Sequence, residues 1–154
     1  MNNVPVSPSL PVRVKRVGSI EVSLPKYQTS GSVGFDLCAA ILRPINLFPG
    51  KRELVPSGLA FQIPAGYEGQ IRPRSGLALK YGISIVNSPG TIDFDYTGEV
   101  SIIIINHGFE VFTINPLDRI AQMIISKVER ADLILVDELD ETVRGAGGFG
   151  STSV

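Results

Sequence analysis

Hydrophobic residues along this chain come in short runs that alternate or break before a helical period can establish itself. β-Branched and aliphatic stretches at Val12–Val17, Leu59–Ile63, Ile83–Val86, Glu99–Asn106, Val111–Ile114, Arg119–Val128 and Leu133–Val136 predict strands. Gly66, Gly69, Pro89-Gly90, Gly98, His107-Gly108 and Asn115-Pro116 predict the turns between them, because each supplies a positive or a fixed φ where the chain must reverse. The pattern is that of an all-β sandwich or barrel. One short helix is predicted over Ser75–Tyr81, with Ser75 as its cap before Leu77, Ala78 and Leu79. Ile102–Ile105 does not alternate, which predicts a strand buried on both faces and, in so small a domain, pressed against another subunit.

At 154 residues, 44% hydrophobic and 19% charged, the chain has the material for one compact domain. Residues 1–11, rich in proline, are expected to form a loose arm, residues 12–136 the β-barrel domain, and 137–154 an acidic linker followed by a flexible C-terminal arm. A net charge of −1 provides no basic footprint for nucleic acid, so phosphate recognition must be local and the ligand small. The single cysteine, Cys38, has no partner for an internal disulfide, and the single histidine, His107, rules out a Cys/His zinc cluster. His107 lies outside every island of unusual chemistry and is expected to be a turn residue. The opening residues lack a cationic leader, and Ile102–Ile105 is far too short to span a bilayer, so a cytoplasmic protein without a membrane partner is expected.

Five islands of residues carry the chemistry. Arg144-Gly-Ala-Gly-Gly-Phe149-Gly-Ser151-Thr152 combines backbone N–H groups that can approach an anion with a guanidinium, hydroxyls and one flat ring. Its Gly145-x-Gly147-x-x-Gly150 spacing matches the dinucleotide fingerprint, but that fingerprint must open a helix after a strand, and the Rossmann reading is rejected. Gly34-Phe35-Asp36-Leu37 sets an acid in an apolar strand. Arg72-Pro73-Arg74-Ser75-Gly76-Leu77 puts charge and hydroxyl at the mouth of the predicted helix. Asn87 to Glu99 is a hairpin bearing Asp93, Asp95 and Tyr96, and Asp118-Arg119-Ile-Ala-Gln122 places an arginine and an amide in a core strand. Taken singly, each has a structural explanation: a turn cap, a helix cap, turn-forming acids, an edge ion pair, a loose glycine-rich tail. Together they suit one nucleoside triphosphate, with arginines and glycines for the phosphates, an aromatic ring and an asparagine for the base, and a carboxylate to activate water.

Taken in chain order, from Gly34-Phe-Asp-Leu through Arg74-Ser-Gly-Leu, Gly90 to Glu99 and Arg119-Ile-Ala-Gln122 to Arg144–Thr152, the islands resemble the five motifs of the trimeric dUTPase family, from about residue 12 to 152. Ser32-Val33 before Gly34 and Cys38 after Leu37 are small departures. The resemblance implies a jelly-roll-like fold, a homotrimer with three shared active sites, and Mg²⁺-dependent hydrolysis of dUTP to dUMP and pyrophosphate, which limits uracil in DNA and supplies dUMP for thymidylate synthesis. It further implies that Asp93 deprotonates the water attacking the α-phosphorus and that Tyr96 packs under the deoxyribose. Asn87, with the hairpin backbone that includes Gly90 and Thr91, would read uracil. Arg74, Ser75, Gly76 and Gln122 would hold phosphates, and Asp36 would reach the metal through water. Arg144, Gly147, Gly148, Phe149, Gly150 and Ser151 would close over the nucleotide. Two rivals follow from the same fold: a dCTP deaminase, and a trimeric nucleotide-binding regulator without chemistry. The hairpin with Asp93 and Tyr96 and the glycine-rich tail favour hydrolysis over the deaminase, and Asp93, Gln122 and the tail argue against the regulator.

Overall fold

The computed structural model describes residues 9–148. Phe149, Gly150 and Ser151, and most of the expected N-terminal arm, lie outside the described residues. The order of elements is β1 (Arg13–Arg16), β2 (Gly34–Cys38), β3 (Ile45–Leu47), β4 (Arg52–Gln62), β5 (Tyr67–Arg72), α1 (Ser75–Tyr81), β6 (Ile83–Ile85), β7 (Gly90–Ile92), β8 (Glu99–Asn106), β9 (Phe112–Ile114) and β10 (Arg119–Lys127). Two four-stranded sheets, β1-β4-β8-β6 and β2-β10-β5-β7, are antiparallel throughout, and β3 pairs with β9 in a small third sheet.

One apolar cluster draws on both large sheets: Val55, Leu59, Phe61, Val100, Ile102 and Ile104 from one, Leu37, Ile71, Ile120 and Met123 from the other. Each such side chain contributes roughly 1.5–3 kcal/mol on burial, so this cluster holds the sandwich closed. The period of two is strict in β8, where Val100, Ile102, Ile104 and Asn106 are buried while Ser101, Ile103 and Ile105 are only half-buried. The expectation of two buried faces is corrected for the single chain: an unbroken run of isoleucine hid an ordinary alternation.

Three further expectations are corrected. Gly69 is not a turn residue but lies within β5 opposite Ile92 and Ile125, where a Cβ would come within 3.1 Å of Ile63 Cδ1 and 3.2 Å of Ile92 Cβ. Leu133–Val136 forms no strand; its Leu133 and Leu135 are 90% and 98% exposed, because no sheet edge of the described chain takes them up. Helix α1 has the predicted bounds, but its cap is Arg74 in extended conformation, without a side-chain cap hydrogen bond, and Ser75 is already its first helical residue.

Asn106 fastens the β8–β9 connection. Its buried amide donates to the carbonyls of Leu47 and Glu110 at 2.9 and 2.8 Å, and its Oδ1 accepts from Gly108 N–H at 2.8 Å. His107 follows it in the turn, as expected. Replacing Asn106 with alanine strands three backbone groups at about 1–3 kcal/mol each. Chemical denaturation of Asn106→Ala is expected to show a loss of about 3 kcal/mol or more with an unchanged m-value.

Candidate active site in two halves

The first half of the site grows from three neighbouring pieces of chain. β10 lies between β2 and β5, with Gln122 opposite both Asp36 and Arg72, so the Asp36 side chain, the β5–α1 loop and Arg119 share one end of the sheet. Arg74 Nε meets Asp36 Oδ1 at 3.0 Å, and Arg119 Nη1 meets Asp36 Oδ2 at 3.1 Å. Arg74 Nη1 also donates to the Arg119 carbonyl at 3.0 Å, and Gln122 Nε2 donates to the Pro73 carbonyl at 2.8 Å. The Asp36 side chain is only 17% exposed, whereas that of Arg119 is 52% exposed. Two guanidiniums sharing one carboxylate leave a surplus positive charge beside Ser75 and Gly76, which are both exposed at the start of α1. Such an end attracts a polyanion.

Arg119 lies in an island that the sequence singled out, but its role as the second partner of Asp36 was not legible there. Cys38 sits across from Arg119. Burial pushes its thiol up from the ordinary value, Asp36 pushes the same way, and Arg119 and Arg74 pull back less strongly. The thiol is therefore a neutral, half-buried group rather than a nucleophile.

A metal would not find a bare carboxylate here. Both Asp36 oxygens are engaged by arginines, each keeping a further lone pair that can accept a hydrogen from water, and among the described residues no three His, Cys, Asp or Glu side chains are grouped to hold an ion. The donor set fits a cation that arrives with its own water and ligand oxygens.

The second half is the hairpin. Strands β6 and β7 flank Val86–Pro89, with a cis Ser88–Pro89 peptide, and Gly90 is buried against Ile71 with Asn87 Nδ2 close by. Beyond β7 the chain turns through Asp93, whose carbonyl accepts Tyr96 N–H at 3.1 Å, and Thr91, Asp93, Asp95 and Tyr96 are all exposed. Asp93 and the guanidinium pair do not meet within one chain. β5 and β7 are antiparallel with Ile71 opposite Gly90 and Gly69 opposite Ile92, so Asp93 lies towards the Tyr67 end while Arg74 lies beyond Arg72. At about 3.3 Å per residue, that sets the Asp93 and Arg74 regions roughly 20 Å apart along the sheet.

The described part of the tail folds on itself. Arg144 Nε donates to the Gly147 carbonyl at 2.8 Å, Gly147 N–H to the Arg144 carbonyl at 3.1 Å, and Gly145 N–H to Thr142 Oγ1 at 3.0 Å. Among the described residues, no hydrogen bond made by 129–148 reaches the sandwich, so none ties Arg144, Gly147 or Gly148 to either half.

The β-sandwich thus carries a guanidinium pair towards one end of a sheet and an exposed acid and tyrosine on a hairpin towards the other. The family model of dUTPase matches residues 21–153. The chain is 54% identical to a deoxyuridine 5'-triphosphate nucleotidohydrolase of Anaeromyxobacter sp. over 92% of its own length and 96% of the relative's, and 52% identical to one of Bdellovibrio bacteriovorus over 93% and 96%. Among solved structures, Staphylococcus bacteriophage 80alpha dUTPase with dUPNHPP superposes with a TM-score of 0.80 at 26% identity, covering 94% of this chain and 99% of that one. The sandwich is therefore jelly-roll-like, and the chain belongs to the dUTPase family.

The thiol offers one direct check on the electrostatics of the first half. Alkylation of Cys38 by iodoacetamide at neutral pH is expected to be slower than that of a free cysteine and to accelerate only above the ordinary thiol range, because the raised pKa delays the thiolate; stopped-time mass spectrometry across pH reads the rate.

Proposed function

We propose that this chain hydrolyses dUTP to dUMP and pyrophosphate in sites completed by more than one copy of the chain. The activity is that of the family. The observation that carries the shared site is the separation of the halves: an acid and an arginine roughly 20 Å apart along one sheet cannot act on one triphosphate, but a cyclic assembly brings the hairpin of one copy to the guanidinium end of another. A homotrimer also gives cover to what a single chain leaves bare. Ile103 and Ile105 are half-buried on the outer face of β8, and Leu133, Leu135 and Leu139 are almost fully exposed.

In this reading Arg74, Ser75, Gly76 and Gln122 bind the phosphate chain, with Asp36 and Arg119 holding Arg74 in place. Asn87 and the backbone from Gly90 and Thr91 onwards read the uracil edge, and Tyr96 lies under the deoxyribose. Asp93 takes the proton of a water whose oxygen bonds to the α-phosphorus. The bond from that phosphorus to the bridging oxygen breaks, and the electron pair leaves with pyrophosphate. Arg144, Gly147, Gly148 and, outside the described residues, Phe149, Gly150 and Ser151 close over the nucleotide and exclude water. Mg²⁺ is the proposed cofactor, carried on the phosphate oxygens and reached by Asp36 through water, where it would offset the charge of the triphosphate. The cytoplasm is the compartment in which such a substrate is met; no helix among the described residues is long and apolar enough to cross a membrane.

Pyrophosphate and ammonia release measured side by side on dUTP, dCTP, dTTP and UTP tests the reaction. Pyrophosphate from dUTP far above the other three is expected, and ammonia from dCTP would replace hydrolysis with deamination. Asp93→Asn is expected to bind a non-hydrolysable dUTP analogue with little change while turnover drops about 10²–10⁴-fold, the range for a positioned general base. Chelation of divalent cations is expected to suppress turnover and Mg²⁺ to restore it.

The sharing of the site has its own test. Asp93→Asn chains and chains lacking Arg144–Val154 are expected to be nearly inactive alone, and to recover activity when refolded together, because some sites then join an intact hairpin to an intact tail. Mixed assemblies that form and remain as inactive as their parents would place hairpin and tail on the same chain.

A further inference from the structure

Glu99 stands where the hairpin runs into β8, and both ends of the residue are engaged. Its Oε1 accepts the Gly58 N–H at 2.8 Å, and its backbone carbonyl accepts the Tyr96 hydroxyl at 2.9 Å. Gly58 is a special point in β4. Its φ is +70°, a Cβ there would come within 2.9 Å of Ala40 Cβ and 3.1 Å of the Val22 methyls, and the β4–β8 register shifts between Pro56 and Ala60. A bulge of this kind turns an N–H out of the ladder, and the Glu99 carboxylate is its partner. The Gly58 carbonyl is fixed from the other side by Val17 N–H at 2.9 Å.

The Tyr96 ring needs such support. It is 45% exposed, so packing alone does not hold it. It lies over Gly98, where a Cβ would fall 2.7 Å from the hydroxyl oxygen and 2.8 Å from Cζ. Beneath the ring there is therefore backbone and no side chain, and its far end hangs on the Glu99 carbonyl.

We propose that Glu99 is a positioning residue for sugar selectivity: anchored on the Gly58 bulge, it fixes the peptide that carries the Tyr96 hydroxyl and thereby fixes the height of the ring. The inference rests on the reading of Tyr96 as the surface under the deoxyribose. A ring excludes a 2′-hydroxyl only if it cannot retreat by the fraction of an ångström that a new oxygen requires, and a half-exposed ring with a loosened tether can retreat. Glu99 takes part in none of the ion pairs among the described residues, so its acceptor oxygen rather than its charge does the holding. Glutamine keeps an acceptor oxygen at the same reach, whereas alanine has none and aspartate is one methylene short.

The test uses the full chain with ¹³C ring-labelled tyrosine, in which Tyr96→Ala assigns one resonance among the four tyrosines. Glu99→Ala is expected to shift or broaden the Tyr96 resonance while Tyr27, Tyr67 and Tyr81 stay in place, and to lower the dUTP-to-UTP ratio of kcat/KM at least tenfold. Glu99→Gln is expected to preserve both. Should the alanine variant fail to fold, Glu99→Asp is expected to behave as described for alanine. A Tyr96 resonance unmoved by loss of the anchor overturns the proposal, as does a ratio that Tyr96→Ala lowers and Glu99→Ala does not. If Tyr96→Ala itself leaves the ratio unchanged, the sugar reading of Tyr96 falls and the selectivity claim with it, while the resonance still decides whether Glu99 anchors the ring.

Discussion

The carboxylate of Asp36 is the constraint on which the guanidinium end of this molecule depends. Arg74 and Arg119 would repel one another if left side by side, and neither is deeply enough buried to be held by packing alone. One acid between them turns repulsion into a bracket that joins β2, the β5–α1 loop and β10. The bracket is also asymmetric in charge, two positive groups to one negative, so it is held together from within yet remains attractive to an anion from without. Neutralising the acid would remove the attraction between the elements and leave the guanidiniums to spread. The arrangement separates two tasks that a single arginine could not perform, namely fixing the loop and meeting the ligand.

The opposite end of the sheet is arranged by different physics. There the acid and the aromatic ring are exposed, and their geometry comes from backbone contacts: the Asp93 carbonyl on Tyr96 N–H, Tyr96 over Gly98, and the Glu99 tether on β4. In the reading proposed above, a rigid charge cluster and a backbone-braced hairpin are each half of one site, and assembly would then be a chemical requirement as well as a means of covering apolar surface.

Legibility in the sequence followed the range of the forces involved. Helix α1 was readable over Ser75–Tyr81 because local helix formers and the glycine after them decide it, although the cap belongs to Arg74 because the residue after Pro73 is still extended. Strands β8 and β10 were readable from their β-branched runs and β4 only over its last part, but which face of β8 is buried depends on the neighbours of Ile103 and Ile105, which four identical residues cannot reveal. Strand β3, three residues long, carries too little pattern to be seen and forms because it pairs with β9, which the run Val111–Ile114 did signal. Leu133–Val136 shows the converse: strong local preference without a sheet edge gives no strand. The order of the five islands named the family and the chemistry. That Arg119 shares Asp36 with Arg74, or that Glu99 reaches Gly58, requires knowing which distant strands are adjacent, and spacing along the chain does not contain it.

Leu133–Val136 has a consequence for the solubility of the single chain. Four consecutive aliphatic residues of high β propensity, free of proline and glycine and open to solvent, are the kind of segment that stacks with copies of itself. Asp132 stands immediately before the run, and Asp137 and Glu138 follow it. Stacking in register would place those like charges above one another, a repulsion that grows with every added copy, whereas docking on a different surface incurs no such penalty. The acids that read as a solvated linker thus oppose the stacking of this run on copies of itself.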